Sequence, residues 1–142
     1  MEAITLAGAR VIIAGVEGAA AARGVALAVT VCDPAGAPIA TARMDGANAV
    51  AARLAADKAF TAAAFGAPSH AWAEATAPGG PDWGMAGAAG GRVLVLPGGL
   101  PIMAGGRLIG ALGVSGAAPA VDLACAEAGL ATVDLPASLA SG

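Results

Sequence analysis

Apolar residues recur at three- and four-residue spacing between Thr5 and Arg23, through Leu6, Ala9, Ile13 and Val16, and Gly24 follows them. That period predicts a first helix with Thr5 as its N-cap. The rhythm changes at Ala26–Cys32, where Ala-Leu-Ala-Val-Thr-Val-Cys is short, partly β-branched and runs into Asp33-Pro34-Ala35-Gly36, a type I or II turn. With a second strand at Pro38–Arg43 it predicts a hairpin. After Asp45-Gly46, Asn48 is placed to cap a second helix reaching about Phe65, with Val50, Leu54, Lys58, Thr61 and Phe65 on one face. Gly66 and Pro68 stop that helix, and Ser69 is set to cap a short helical turn through Trp72 and Ala75.

From Ala77 to Gly91 the density of Gly and Pro predicts a 15-residue loop, long enough in a small domain to mark a functional segment. Three strands are expected after it: Arg92–Leu96, Leu100–Ala104 and Arg107–Val114, the last two joined by Gly105-Gly106 as a tight hairpin. Pro119 starts a final helix that Gly129 ends. The order α-β-β-α-β-β-β-α lacks the repeated βαβ units of a doubly wound fold. It predicts an α+β domain with an antiparallel sheet. Residues 1–134 read as one domain without internal repeats, and 135–142 as a short tail.

Composition narrows the picture. A chain of 142 residues with 58% hydrophobic and 12% charged residues has ample material for a core, which excludes intrinsic disorder. Much of that apolar content is alanine, and 22 Gly with 3% aromatics require a core of closely packed backbones. The mean hydropathy of +0.77 raises the question of a membrane span. The longest uncharged stretch, Ala59–Ala73, is 15 residues and is broken by Gly66, Pro68, Ser69 and His70, below the roughly 18 residues a span needs. No membrane partner is expected. The N-terminus has no basic region ahead of an apolar run and no clear cleavage site, so the expectation is a cytoplasmic protein. A net charge of -3, with one Lys and six Arg, leaves little basis for nucleic-acid binding. Cys32 and Cys125 are far apart and lack CxxC partners, and so read as buried free thiols.

Four ordered segments carry a resemblance: Arg43-Met44-Asp45-Gly46-Ala47, Lys58-Ala59-Phe60-Thr61-Ala62, Gly98-Gly99-Leu100-Pro101-Ile102 and Gly110-Ala111-Leu112-Gly113-Val114-Ser115-Gly116. In order and spacing they resemble the GlcG/HbpS family, and Asp122, Ala124, Ala126 and Gly129 extend the match. The resemblance implies a five-stranded antiparallel sheet flanked by helices, a profilin-like α-β-α sandwich. It also implies homo-oligomers, commonly octamers. Relatives bind or degrade haem, are fused to PduO-type cobalamin adenosyltransferases, or belong to catabolic pathways. Family membership therefore fixes fold better than function.

The chemistry-bearing residues are few. Arg43 ends a strand and Asp45 opens a turn, so Arg43 can offer its planar fork to a carboxylate or a haem propionate, or the two can pair to fix the corner. Lys58, the only lysine, lies in an apolar stripe, where desolvation would suit a general base or Schiff-base nucleophile, while escape to solvent or to an acidic residue is the bland alternative. Arg53 and Asp57, four apart, read as a surface pair. His70, the only histidine, sits beside the long loop as a general acid–base group or a haem-iron ligand, with Trp72, Trp83 and Met85 as walls of an apolar pocket. Some haem-binding relatives carry an axial histidine in the first helix; this chain has none there. Gly98 and Gly99 either admit a ligand to the backbone or permit tight packing. Asp122 faces a ligand or answers the dipole of the last helix. Ser115 lies outside any Gly-x-Ser-x-Gly elbow and reads as a strand-end residue.

Two functions follow as expectations. The first is a catabolic enzyme acting on a reactive enol, imine or carbonyl acid, in which Arg43 orients the carboxylate of a small anionic substrate and Lys58 or His70 moves a proton. The alternative is an oligomeric haem-binding or haem-degrading protein without substrate turnover.

Overall fold

The computed structural model describes residues 2–132 and 140–141. Its elements are β1 (Ala3–Ile4), α1 (Leu6–Ala22), β2 (Ala28–Cys32), β3 (Pro38–Arg43), α2 (Ala49–Phe65), a 3-10 turn (Ser69–Trp72), α3 (Ala73–Thr76), α4 (Ala88–Gly91), β4 (Gly99–Ala104), β5 (Arg107–Ser115), α5 (Pro119–Leu130) and β6 (Ala140–Ser141). Four strands form an antiparallel sheet in the order β3-β2-β5-β4, and β1 pairs with β6. Of the expected tail 135–142, only residues 140–141 lie within the described residues.

Local signals set most of these boundaries. The Thr5 hydroxyl accepts from the Gly8 amide at 3.0 Å, and the Asn48 side chain from the Ala51 amide at 2.9 Å, so both caps act as expected. Gly66 closes α2 in the left-handed conformation at φ 61°. Gly105 and Gly106, at φ 57° and 78°, make the β4–β5 hairpin turn.

The expected strand at Arg92–Leu96 does not form. The Leu94 amide donates to the Thr61 hydroxyl at 2.9 Å, and the Leu96 carbonyl accepts from Ser69 at 2.6 Å. Side chains of α2 and the 3-10 turn thus take groups that a ladder would need, and the segment runs across α2 without a strand partner. Ser69 is consequently no helix cap. It is fully buried and latches two loops together.

The sheet is covered on both sides. Val29, Val31, Leu112 and Val114 point to one face and join Ile12, Val16, Cys125 and Ala126 of α1 and α5 in one cluster. Alternate residues point the other way, where Ala28, Cys32 and Ala111 meet Ala51, Ala55, Ala59 and Ala62 of α2. The seating of α2 differs from the sequence pattern. Of the expected face, Lys58 and Thr61 are buried but Val50 is 57% exposed, and the apolar part of the buried side is the alanine row. The reason is Gly113: a Cβ there would run into the Ala55 carbonyl and the Ala59 amide, so the helix backbone rests directly on the strand.

Candidate functional site

At the end of β5 the two layers meet. Lys58, from α2, is 2% exposed, and its ammonium donates to the Val114 carbonyl at 2.9 Å and to Asp122 Oδ2, on α5, at 3.2 Å. Asp122 is also 2% exposed, and its Oδ1 accepts from the Ala117 amide at 2.9 Å, just ahead of α5. Asp122 therefore serves both the start of the helix and the ion pair. Burial pushes the Lys58 ammonium below its ordinary range and the Asp122 carboxyl above its own, against the mutual attraction of the two charges.

Gly98 and Gly99 close over this pair. A Cβ on Gly98 would meet the Val114 carbonyl and Lys58 Nζ, and one on Gly99 would meet the Lys58 carbonyl and the Ser69 hydroxyl. The Gly99 amide donates to Ser69 Oγ at 2.9 Å, and the Gly98 carbonyl accepts from Val114. The space the glycines leave is filled by Lys58 and Ser69.

His70 follows Ser69 in the 3-10 turn and is half-buried. Its Nδ1 is buried without a hydrogen-bond partner. Trp72 packs on Phe65 with ring centroids 4.9 Å apart. Trp83 is 68% exposed. An open depression of about 630 Å³ lies beside the turn, lined by Ala71, Glu74, Ala75 and residues 77–81.

Arg43 and Asp45 are both exposed at the β3–α2 corner. Among the described residues they form no ion pair with each other; Gly46, at φ 89°, makes the turn instead. Arg43 is thus free for an anion, but nothing brings it to Lys58 or His70. Ser115 is the buried last residue of β5, as expected. Both cysteines are buried free thiols, and burial pushes Cys32 up to about 11.

Three features escape a reading of spacing. Ser69 and Thr61 act as latches for the 92–99 segment, a role that depends on partners 27 to 33 residues away. Asp57 looked like half of a surface pair but is 5% exposed. Arg92 reaches the same carboxylate and lies over the Phe60 ring at 3.9 Å from its centroid. The only advance signal for Arg92 was its place directly after the glycine-rich loop. Among the described residues no cluster of His, Cys, Asp and Glu could hold a metal ion, and no helix is long and apolar enough to cross a membrane.

The fold and these motifs have close counterparts. The chain is 33% identical over 127 residues to a 15.0 kDa protein of the dhaT-dhaS intergenic region of Citrobacter freundii, covering 89% of each. Among solved structures it is similar to the PduOC:haem complex, with a TM-score of 0.90 at 28% identity over 94% of this chain and 96% of that one. A double mutant of HbpS from Streptomyces reticuli gives a TM-score of 0.85 at 31% identity over 93% of this chain and 88% of that one. The family described as haem degrading protein HbpS-like matches residues 4–131, and this chain belongs to that family.

Proposed function

We propose that the protein binds haem as a homo-oligomer. The observation that carries this reading is His70: the chain's one imidazole is half-buried with an Nδ1 that has no hydrogen-bond partner, and it would be the residue that holds the haem iron. Support comes from the likeness to the PduOC:haem complex across nearly the whole chain. The first helix has no histidine, so ligation falls to the turn after α2. The residues fit haem in kind: one nitrogen donor, and apolar side chains in solvent for the porphyrin face and subunit contacts, among them Leu6, Val11 and Leu96. When bound, haem would supply an iron able to take a further small ligand. The protein's part would be to hold that iron through His70.

The proton-transfer reading fares less well, because Lys58 is enclosed and its ammonium is engaged by Asp122 and Val114. A base must reach its substrate proton. Titration of the purified protein with hemin tests the proposal. A saturable Soret band is expected, and His70→Ala should shift or abolish it while leaving the far-UV circular dichroism unchanged. A wild-type protein without a Soret band would refute haem binding, and an unchanged band in the variant would refute His70 as its ligand.

A further inference from the structure

The cluster around Asp57 belongs neither to the Lys58 ion pair nor to the His70 turn. Arg53 Nε lies 3.1 Å from Asp57 Oδ2, and Arg92 Nε lies 3.9 Å from Asp57 Oδ1. Both arginines thus turn the Nε edge of the guanidinium to one buried carboxylate. Among the described residues their terminal nitrogens have no hydrogen-bond partner.

Arg92 is fixed at two points: its guanidinium carbon lies over the Phe60 ring, 3.9 Å from the centroid, and its carbonyl accepts from the Thr61 hydroxyl at 3.2 Å. Arg53, Asp57, Phe60 and Thr61 share one side of α2, spaced by four, three and one residues. Two guanidiniums against one carboxylate leave one surplus positive charge in a chain whose net charge is -3. Because they reach the two oxygens of one carboxylate, the two guanidiniums are neighbours on one side of the molecule.

We propose that Arg53 and Arg92, positioned by Asp57 and Phe60, form a binding site for a small divalent oxyanion, of the phosphate or short dicarboxylate kind. The terminal nitrogens of these partly exposed side chains would each give a charge-assisted, fork-shaped contact, while Asp57 keeps the two guanidiniums beside one another without neutralising both. This inference does not rest on haem binding.

The test is an NMR titration of the full chain, following the arginine Nε–H signals, with inorganic phosphate in one arm and succinate in the other. Saturable shifts of two Nε–H signals are expected in at least one arm, and the arm that responds assigns the oxyanion. Arg53→Gln and Arg92→Gln should each weaken binding about tenfold, and Arg92→Lys should restore only part of it, because an ammonium keeps the charge and loses the fork. Arg10→Gln and Arg23→Gln, on exposed parts of the first helix and its end, should leave affinity unchanged. No saturation in either arm would overturn the proposal. So would unaltered affinity in the Arg53 or Arg92 variants, or an equal loss in all four glutamine variants, which would reveal unspecific charge screening. Arg53 is 65% exposed, so its variant reports on binding even if Arg92→Gln disturbs packing.

Discussion

The two faces of the sheet are built by opposite means. On the α1–α5 face, Val, Leu and Ile side chains fill the gap between layers and exclude water by their bulk. On the α2 face, Ala, Cys and Gly let a helix backbone settle onto the strands, and the same layer holds the buried polar groups Thr30, Asp57, Lys58, Thr61 and Ser69. The contrast has a physical cause. Large aliphatics need no partners beyond each other, whereas a thin layer of small residues brings backbone carbonyls and amides close enough to bind long polar side chains. Chemistry therefore collects on the thin side and at its edges, where His70, Arg53 and Arg92 stand.

The contrast can be broken most forcefully at Lys58. Replacing it with Met leaves Asp122 buried without its partner, and a loss of about 3–5 kcal/mol in urea unfolding is expected; pairing Lys58→Met with Asp122→Leu should recover most of it. Acidity adds a signature. Burial lowers the folded-state pKa of Lys58, so the unfolded chain holds the proton where the folded one releases it, and the lysine's contribution to stability rises with pH up to its ordinary 10.5. Asp122 has a raised folded-state pKa, so its contribution falls as pH climbs above 3.8, and more so once Lys58 is gone. The stability gap between wild type and Lys58→Met should accordingly widen from pH 7 toward pH 10. A gap that narrows over that range would show that desolvation does not govern the pair.

A smaller effect separates the faces directly. Gly113→Ala inserts a methyl against the Ala55 carbonyl and should cost about 1–3 kcal/mol by overpacking, whereas Leu112→Ala, its neighbour on the other face, should cost about 2–5 kcal/mol by leaving a cavity. Thermal unfolding of both variants, with a xenon-binding check for the cavity, distinguishes the mechanisms. Equal responses with a cavity in both would abolish the contrast. Smallest of all is the thiol response: Cys32 and Cys125 should resist an aromatic disulfide reagent in the native state and react fully in urea, since each is buried and its pKa is raised by burial. Rapid native labelling would show that one face opens readily.

Much of the fold was legible because it is written locally. Thr5, Asn48, Gly66, Gly105-Gly106 and Pro119 mark element ends through contacts within a few residues, and the periodicity of α1 and β2 names the strands and helices between them. The site residues were legible as candidates: Lys58 and His70 are unique of their kind and stand out in any reading. For Lys58, pairing with an acidic residue was one of two open readings, and the partner was not legible. Lys58 became half of a buried pair because Asp122, 64 residues away, reaches it past the end of β5. The strand expected at Arg92–Leu96 failed because Thr61 and Ser69 took its backbone groups.

The sequence by itself determined the α+β class, the family and the shortage of large side chains that forces close layers. Only the tertiary structure decided which stripe of α2 is buried, that Asp57 sits between two arginines, and that Gly98 and Gly99 make room for Lys58 and Ser69. Caps and periodicity act within one or two turns of chain, so they survive in a linear reading. Burial of a charge depends on partners supplied by distant segments, and it exists only once the layers have met.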